Sequence, residues 1–145
     1  YNLIDIITPN EIEAGQLVNF NVNEPQSAAA AAAVLRKRGV KSVIVKLGDR
    51  GVVCATESEK FFVPAFSVTA VDTVAAGDAF NGGLAAALVA GLTLRQAVVW
   101  GAAAGALATT KLGAQSAMCD RGTFDAFLKN SKVAGVEYIS EIREN

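Results

Sequence analysis

The residues best suited to chemistry lie at positions 72–83, in the sequence DTVAAGDAFNGG. Small residues stand here at the point where a strand or loop leads into a predicted helix. The backbone N–H groups of a first helical turn have no helical partner, and small side chains let an anion approach them. A carboxylate at such a place, Asp78, would repel the anion unless it takes a proton from a nucleophile that attacks there. The pattern therefore indicates an anion hole beside a general base, as a hydroxyl attacking a phosphoryl group requires.

The same residues also have a purely structural interpretation. Gly77 and Asp78 can form a turn followed by a helix N-cap, which is a common use of such a dipeptide. The spacing of the glycines is neither that of a Walker loop nor that of a dinucleotide fingerprint. The residue types alone leave both interpretations open.

The composition restricts the chemistry further. The 145 residues are 52% hydrophobic and 19% charged with a net charge of −1, which predicts a globular domain with a sizeable core and argues against a nucleic-acid or membrane-surface binder. The chain has no histidine, so Ser-His-Asp and Cys-His hydrolases are excluded and a general base must be a carboxylate, Lys or Tyr. Cys54 and Cys119 lie far apart, which predicts neither a disulfide framework nor a zinc site.

Strands and helices alternate along the chain. The predicted strands are residues 3–7, 43–45, 52–55 and 60–63, and the predicted helices begin at Glu11 or cover residues 25–38, 77–90, 94–109 and 124–129, the last capped by Thr123. The small residues at 101–106 permit close approach to a neighbouring helix or to a nucleotide plane. This order predicts an α/β fold with a doubly wound, mostly parallel sheet, helices on both faces and an antiparallel hairpin region.

The ends of the chain suggest a piece of a longer protein. The first residue is Tyr1 and a strand pattern follows at once, without a signal peptide. The apolar stretches 79–94 and 96–110 are each shorter than the roughly 20 residues that a membrane span needs. We therefore expect a cytoplasmic protein with no membrane partner and no nucleic-acid partner.

Four motifs resemble, in the same order, the carboxyl-terminal half of the ribokinase-like (PfkB-type) carbohydrate kinases. They are TPNEIE at residues 8–13, KLGDRG at 46–51, the stretch 72–83, and KLGAQ at 111–115. The resemblance extends from Leu3 to about Leu128 and implies an ATP-dependent sugar kinase. It implies a nucleotide-binding and catalytic part at residues 1–130 and a tail at 131–145. The amino-terminal substrate-binding and lid half is then absent, which would leave this chain inactive alone.

The resemblance also assigns roles to single residues. Asp78 would be the catalytic base, and Ala75, Ala76 and Gly77 would give backbone amides to the anion hole. Asn10 and Glu13 would organise phosphate and hydrated Mg²⁺, although without the resemblance they indicate only an asparagine turn and an acidic helix start. ATP would lie against Lys46, Gly48, Asp49, Arg50, Gly51 and Ala102, while a plain hairpin turn is the alternative for residues 48–51.

A monovalent cation site, a K⁺ site in ribokinases, is implied beside the anion hole. Its ligands would be Asp72, Val74, Ala108, Lys111 and Gly113, since hard oxygen ligands suit an alkali cation. The family also offers a hydroxyl near this loop, but residue 117 is Ala and Ser116 stands one place earlier. That leaves the last K⁺ ligand open.

One departure from the common family pattern indicates the acceptor. Ala75 stands where the family most often has glycine, and this version together with Gly113-Ala114-Gln115 resembles ribokinases proper, so we expect ribose as the substrate. Fructose, a nucleoside or another sugar stays possible, as does a non-catalytic ATP- or ADP-binding regulatory module. We also expect a homo-oligomer, such as a dimer, and self-association of the isolated chain through exposed apolar surface.

Overall fold

The computed structural model describes residues 1–131, which divide into two compact units. The first unit comprises Tyr1–Pro64, and the second begins at Ala65. Among the described residues, the strands belong to the first unit, and the second unit is helical. The predicted tail starts at Ser131, and its residues 132–145, including the apolar patch at 136–139, lie outside the described part of the chain.

A four-stranded sheet forms the centre of the first unit. Its strands lie in the order β1 (Ile6–Ile7), β2 (Ser42–Lys46), β3 (Val52–Ala55) and β4 (Lys60–Val63). β1 pairs parallel with β2, while β2 with β3 and β3 with β4 are antiparallel. The α/β class and the antiparallel hairpin region are confirmed, but parallel pairing in the described sheet is confined to β1 and β2. Parallel pairing needs a long crossover, whereas the returning strands here are joined by tight turns.

Two helices supply that crossover, α1 (Glu11–Val18) and α2 (Pro25–Lys37). α2 packs on β2 and β3, and α1 packs on α2. Val43, Val45 and Val53 are fully buried in the core that the helices share with the sheet. Ile44 and Cys54, which alternate with them on the opposite face, are fully buried too. β2 is therefore buried on both faces, as its uninterrupted β-branched run predicts.

The first strand is shorter than the sequence predicts. Only Ile6–Ile7 pair as a strand, instead of residues 3–7. Before them the chain turns, with the Ile4 amide donating to the Tyr1 carbonyl at 3.0 Å, and the side chain of Leu3 is 93% exposed. An apolar run does not by itself form a strand, because the turn removes these residues from the edge of the sheet.

The second unit is a packed set of three helices, α3 (Ala76–Val89), α4 (Leu94–Thr109) and α5 (Arg121–Asn130). α3 and α4 lie very close together, since a Cβ added to Gly83 would lie 2.8 Å from the Trp100 carbonyl oxygen. On the other helix, a Cβ added to Gly101 would lie 3.0 Å from the Phe80 carbonyl oxygen. The predicted close approach of a neighbouring helix to the small residues of α4 is thus confirmed, and that neighbour is α3.

The start of α5 differs from the prediction. The N-cap is Asp120, whose side chain accepts a hydrogen bond from the Thr123 amide at 2.8 Å, so the prediction of Thr123 as the cap was wrong. The helix therefore begins at Arg121 and includes Gly122. Phe124 is buried and meets Trp100 edge-on, with ring centroids 5.1 Å apart. Across residues 1–131, no helix combines the length and apolar character that crossing a bilayer requires.

Candidate active site

The polar candidates of the first unit gather at the amino-terminal end of α1. Asn10 is the N-cap, and its side-chain oxygen accepts a hydrogen bond from the Glu13 amide at 2.9 Å. The Glu13 carboxylate accepts in return from the Asn10 amide at 2.8 Å, which completes a capping box. Both residues are exposed, so the Glu13 carboxylate can also hold a hydrated cation through water. The capping role and the predicted Mg²⁺ role are compatible.

The turn between β2 and β3 lies beside this helix start. The Lys46 amide donates to the Pro9 carbonyl at 2.9 Å, and Asn10 and Lys46 form an isolated parallel bridge. Gly48–Arg50 then make a single 3-10 turn. The structure thus brings the residues of two sequence motifs together within one unit.

The two glycines of this turn have different surroundings. Gly51 has a φ of +98°, and a Cβ there would lie 2.5 Å from the Val63 carbonyl oxygen, so β4 requires a glycine at this position. Gly48 has a φ of +60° with open space around it, so a ligand can approach its backbone. The hairpin interpretation explains Gly51, while the space beside Gly48 is open and its role toward the nucleotide stays a prediction. Asp49 extends into solvent, and the guanidinium of Arg50 contacts Glu11 of α1.

The predicted anion hole lies at the start of α3, in the second unit. The N-cap is Ala75, which has no side-chain oxygen to bond the first-turn amides. The Ala76 amide is already paired with the Thr73 carbonyl at 3.2 Å. The amides of Gly77 and Asp78 follow in the same turn, where no helical carbonyl can reach them. The start of α3 therefore presents amides that an anion could approach, and the assignment of Ala75, Ala76 and Gly77 to an anion hole stays a prediction.

Asp78 lies in the first turn of α3 and is exposed. It does not cap the helix, because the cap is Ala75, so the interpretation of Gly77-Asp78 as a turn plus N-cap was wrong. By contrast, α4 and α5 do have side-chain caps, Thr93 and Asp120. A carboxylate beside uncapped helical amides has the relation that a general base and an anion hole require.

Asp72 links two loops of the second unit. One carboxylate oxygen accepts from the Val74 amide at 3.0 Å, and the other accepts from the Gly113 amide at 3.0 Å. These two hydrogen bonds, the Val74 bond first, hold the pKa of Asp72 below its ordinary value of 3.8. The Asp72 amide also donates to the Thr109 carbonyl, at 3.1 Å. Three of the predicted cation ligands, Asp72, Val74 and Gly113, are therefore neighbours.

The loop after α4 carries the remaining cation candidates. Ala108 lies in the last turn of α4, and the Lys111 amide donates to its carbonyl at 3.4 Å, just beyond the end of the helix. The Ser116 hydroxyl donates to the Leu112 carbonyl at 2.9 Å, and a Cβ added to Gly113 would lie 2.5 Å from that hydroxyl oxygen. The loop thus holds a hydroxyl against Gly113 even though residue 117 is alanine. Ser116 lies within the 3-10 turn at Gln115–Ala117, which brings its side chain back toward Gly113.

Two features were not anticipated from the sequence. Glu11 was treated only as the first residue of a helix, but it receives the guanidinium of Arg50. Ala102, a predicted nucleotide contact, is partly buried on α4 against the core of the second unit.

Among residues 1–131 no group of three or more His, Cys, Asp or Glu side chains could hold a metal ion. A cation here would therefore depend on backbone carbonyls, hydroxyls and water as well as carboxylates.

The described residues thus form an α/β chain with an exposed carboxylate in the first turn of a helix that has no side-chain cap. Residues 1–121 match the model of the pfkB family carbohydrate kinases, and the chain belongs to this family. It is 42% identical over 130 residues to the ribokinase of Haemophilus influenzae, an alignment that covers 90% of this chain and 42% of the relative.

Solved structures show the same relationship. The Arabidopsis thaliana ribokinase complexed with ribose and ATP superposes with a TM-score of 0.83 at 33% identity, over 90% of this chain and 42% of that one. The phosphofructokinase-2 of Escherichia coli in complex with potassium gives a TM-score of 0.76 at 29% identity, over 86% and 40%. The ribokinase-like fold is therefore confirmed, and the chain spans less than half the length of these relatives.

Proposed function

We propose that this chain is the nucleotide-binding and catalytic part of a kinase that transfers a phosphoryl group from ATP to a sugar hydroxyl. The observation that carries the proposal is Asp78, an exposed carboxylate in the first turn of a helix whose N-cap offers no side chain. A module that only senses a nucleotide has no need of a base at the place where an anion is received. The family membership of residues 1–121 gives this geometry its chemical context.

In this proposal Asp78 accepts the proton of the attacking hydroxyl as the oxygen forms its bond to the γ-phosphorus. The bond from that phosphorus to the bridging oxygen breaks, and ADP leaves. Amides of the first turn of α3 stabilise the negative charge on the transferred group, and the positive end of the helix adds to this effect. Positioning and charge stabilisation supply most of the catalysis in phosphoryl transfer.

The first unit would contribute the residues that organise the phosphates. Asn10, Glu13 and Lys46 lie together at the start of α1, beside the open backbone of Gly48. Mg²⁺ keeps several water ligands, so the single exposed carboxylate of Glu13 suits it. When bound, Mg²⁺ would neutralise phosphate charge. Asn10 and Glu13 are already fixed by their mutual hydrogen bonds, so little side-chain freedom is lost on binding.

A K⁺ ion would be held at the joined loops of the second unit. Asp72, Val74 and Gly113 are neighbours there. Ala108 lies at the end of α4 and Lys111 in the loop that follows it, and Ser116 would add a hydroxyl. Oxygen donors of this kind fit an alkali cation. A family relative has been solved in complex with potassium.

Ribose is the proposed acceptor, and the cytoplasm the proposed location. The combination of Ala75 with Gly113-Ala114-Gln115 favours ribose, and relatives at 42% and 33% identity are ribokinases, one of them solved with ribose and ATP. Fructose or a nucleoside is the alternative acceptor. Cys54 and Cys119 form no disulfide, which suits a reducing compartment.

The test has two steps. Calorimetric titration of this chain with Mg·ATP, with and without K⁺, asks whether it binds the nucleotide. A chimera in which the chain replaces the matching carboxyl-terminal region of the Haemophilus influenzae ribokinase then asks whether it supports turnover with ribose, fructose or a nucleoside. Turnover with ribose supports the proposal. Nucleotide binding by a folded chimera that transfers no phosphoryl group to any acceptor would favour the regulatory module instead.

A further inference from the structure

The guanidinium of Arg50 joins three segments of the first unit. One terminal nitrogen contacts the Glu11 carboxylate in the first turn of α1, and the other contacts the carbonyl of Asn23, ahead of α2. The Nε donates to the Leu47 carbonyl, 3.3 Å away at the start of its own turn. A planar guanidinium can serve several acceptors at once, which a lysine ammonium on its single nitrogen cannot do in the same geometry.

The segments that Arg50 joins are those that carry the proposed phosphate-facing residues. Glu11 stands between Asn10 and Glu13, the two members of the capping box. Arg50 itself ends the 3-10 turn that begins at Gly48. The backbone bond from the Lys46 amide to the Pro9 carbonyl holds one side of this junction, at 2.9 Å. Arg50 and Glu11 hold the other side.

Each of the three guanidinium nitrogens of Arg50 therefore contacts an acceptor of the protein itself. The Arg50 side chain is 44% exposed and that of Glu11 33%, so the pair is partly shielded from water. Asp49, at 3.9 Å from the Arg50 Nε, is 99% exposed and adds only a screened attraction. Two carbonyls and one carboxylate take up three of the five N–H donors of the guanidinium, one on each nitrogen.

We propose that Arg50 is a positioning residue that fixes the turn at residues 48–51 against the amino-terminal end of α1. It affects nucleotide binding through the shape of that turn and makes no contact with the nucleotide. The part of the proposal that concerns the nucleotide rests on the proposed function above. The link between the turn and the helix is a property of the ligand-free chain.

Glu11→Gln separates positioning from direct contact. If Arg50 bound a phosphate, this change would weaken the competing contact with residue 11 and remove a nearby negative charge, so Mg·ATP would bind as tightly or more tightly. If Arg50 positions the turn, both Glu11→Gln and Arg50→Ala weaken Mg·ATP binding, by up to about tenfold for the loss of one charged hydrogen bond. Arg50→Lys keeps the positive charge but lacks the planar guanidinium with its several donors, so we expect an intermediate loss of Mg·ATP affinity. This variant keeps the test usable if Arg50→Ala does not fold.

The second readout is hydrogen exchange of the backbone amides at residues 10–13 and 48–51 without ligand. Loss of the link increases local opening, so we expect Arg50→Ala and Glu11→Gln to raise exchange of both segments, and the double variant to add little more. Arg38→Ala is the matched control. Arg38 donates to the Leu17 carbonyl at 2.6 Å, at the carboxyl-terminal end of α1 and away from Glu11. It should leave both segments unchanged.

The outcomes are distinguishable. Weaker Mg·ATP binding in both single variants, with coupled exchange, supports the proposal. Tighter binding in Glu11→Gln, or exchange effects confined to one segment or fully additive in the double variant, overturns it. If the unmodified chain binds no Mg·ATP, the proposed function fails for this chain, and the exchange data alone decide whether Arg50 holds the turn.

Discussion

The carboxylate of Asp72 accepts a hydrogen bond from the backbone amide of Gly113, 41 residues later in the chain, at 3.0 Å. Its other oxygen accepts from the Val74 amide, so the side chain connects the segment before α3 with the loop after α4. An ionised carboxylate accepts both bonds with charge assistance, whereas a protonated carboxyl group is a weaker acceptor for the two amides. The junction of the two loops therefore depends on the charge of Asp72.

Stability should fall in acid, in part through Asp72. Because its folded-state pKa lies below the ordinary 3.8, its ionised form stabilises the fold above that pH, and this contribution is lost as the pH falls through the lower, folded-state pKa. Asp72→Asn should unfold more readily than the unmodified chain at neutral pH and show a smaller further loss below about pH 4. Chemical unfolding followed at each pH measures both effects.

Two other aspartates serve as controls for that experiment. The pKa of Asp120 is also lowered, chiefly by the Thr123 amide, so Asp120→Asn should likewise reduce the acid dependence. Asp125 pairs only with exposed Arg121 in the same helix, so Asp125→Asn should change little. An acid dependence that is identical in the Asp72→Asn variant and the unmodified chain would contradict the role given to Asp72.

Adjacent glycines in α3 should respond to alanine with opposite signs. A Cβ at Gly83 would lie 2.8 Å from the Trp100 carbonyl oxygen, so Gly83→Ala must separate α3 from α4 and should cost about 1–3 kcal/mol of unfolding free energy. Gly82 faces open space, so Gly82→Ala should stabilise the helix by up to about 1 kcal/mol. Denaturant unfolding of both variants measures the difference. Equal effects would mean that the two helices are not packed as closely as described.

Local patterns were sufficient for most elements of the fold. β3, β4 and α4 begin and end at the predicted residues, because turns or helix caps mark both ends of each. β1 was predicted too long, since apolar character does not reveal where pairing with another strand stops. At α5, Asp120 and Thr123 lie three residues apart and both residue types are good N-caps, so the residue types alone do not decide between them.

The site was predictable only where its residues are close in sequence. Gly77 and Asp78 are adjacent, so their place at a helix start follows from the local pattern. The contact between Asp72 and Gly113 depends on where α4 ends, and no spacing rule gives it; the two residues were placed together only through the resemblance to a family. The contact between Arg50 and Glu11 was not predicted, because the local sequence around a charged turn residue does not indicate which distant residue it will contact.

Asn10 should have separable effects on stability and on nucleotide binding. Asn10→Ala removes the cap of α1 and should cost about 1 kcal/mol of unfolding free energy, while Asn10→Ser keeps a capping oxygen and should cost little. If the amide group also organises phosphate, both variants should bind Mg·ATP more weakly. Denaturant unfolding and calorimetric titration give the two quantities. Restored affinity in the serine variant would show that Asn10 acts only as a cap.

The isolated chain should self-associate. Leu3 is 93% exposed and Val89 is 90% exposed, and β1 has a partner on only one side within the described sheet. Free strand edges and exposed apolar side chains favour association. Sedimentation velocity over a range of concentrations should show species larger than the 15.0 kDa monomer. A monomer at every concentration, with no binding of an apolar dye, would contradict this expectation.

Asp78→Asn tests the chemistry most directly, in the chimera with the Haemophilus influenzae ribokinase. The amide is close in size to the carboxylate but cannot take the proton of the sugar hydroxyl, so turnover should fall by about 10²- to 10⁴-fold, the usual contribution of a general base. Mg·ATP affinity should be retained or improved, because a negative charge has been removed from a place that receives an anion. Asp125→Asn, which changes an exposed carboxylate of α5, is the matched control and should leave turnover unchanged. Unchanged turnover in the Asp78→Asn chimera would remove the base from the mechanism, whereas loss of nucleotide binding together with turnover would mean that Asp78 maintains the start of α3 and is not the proton acceptor.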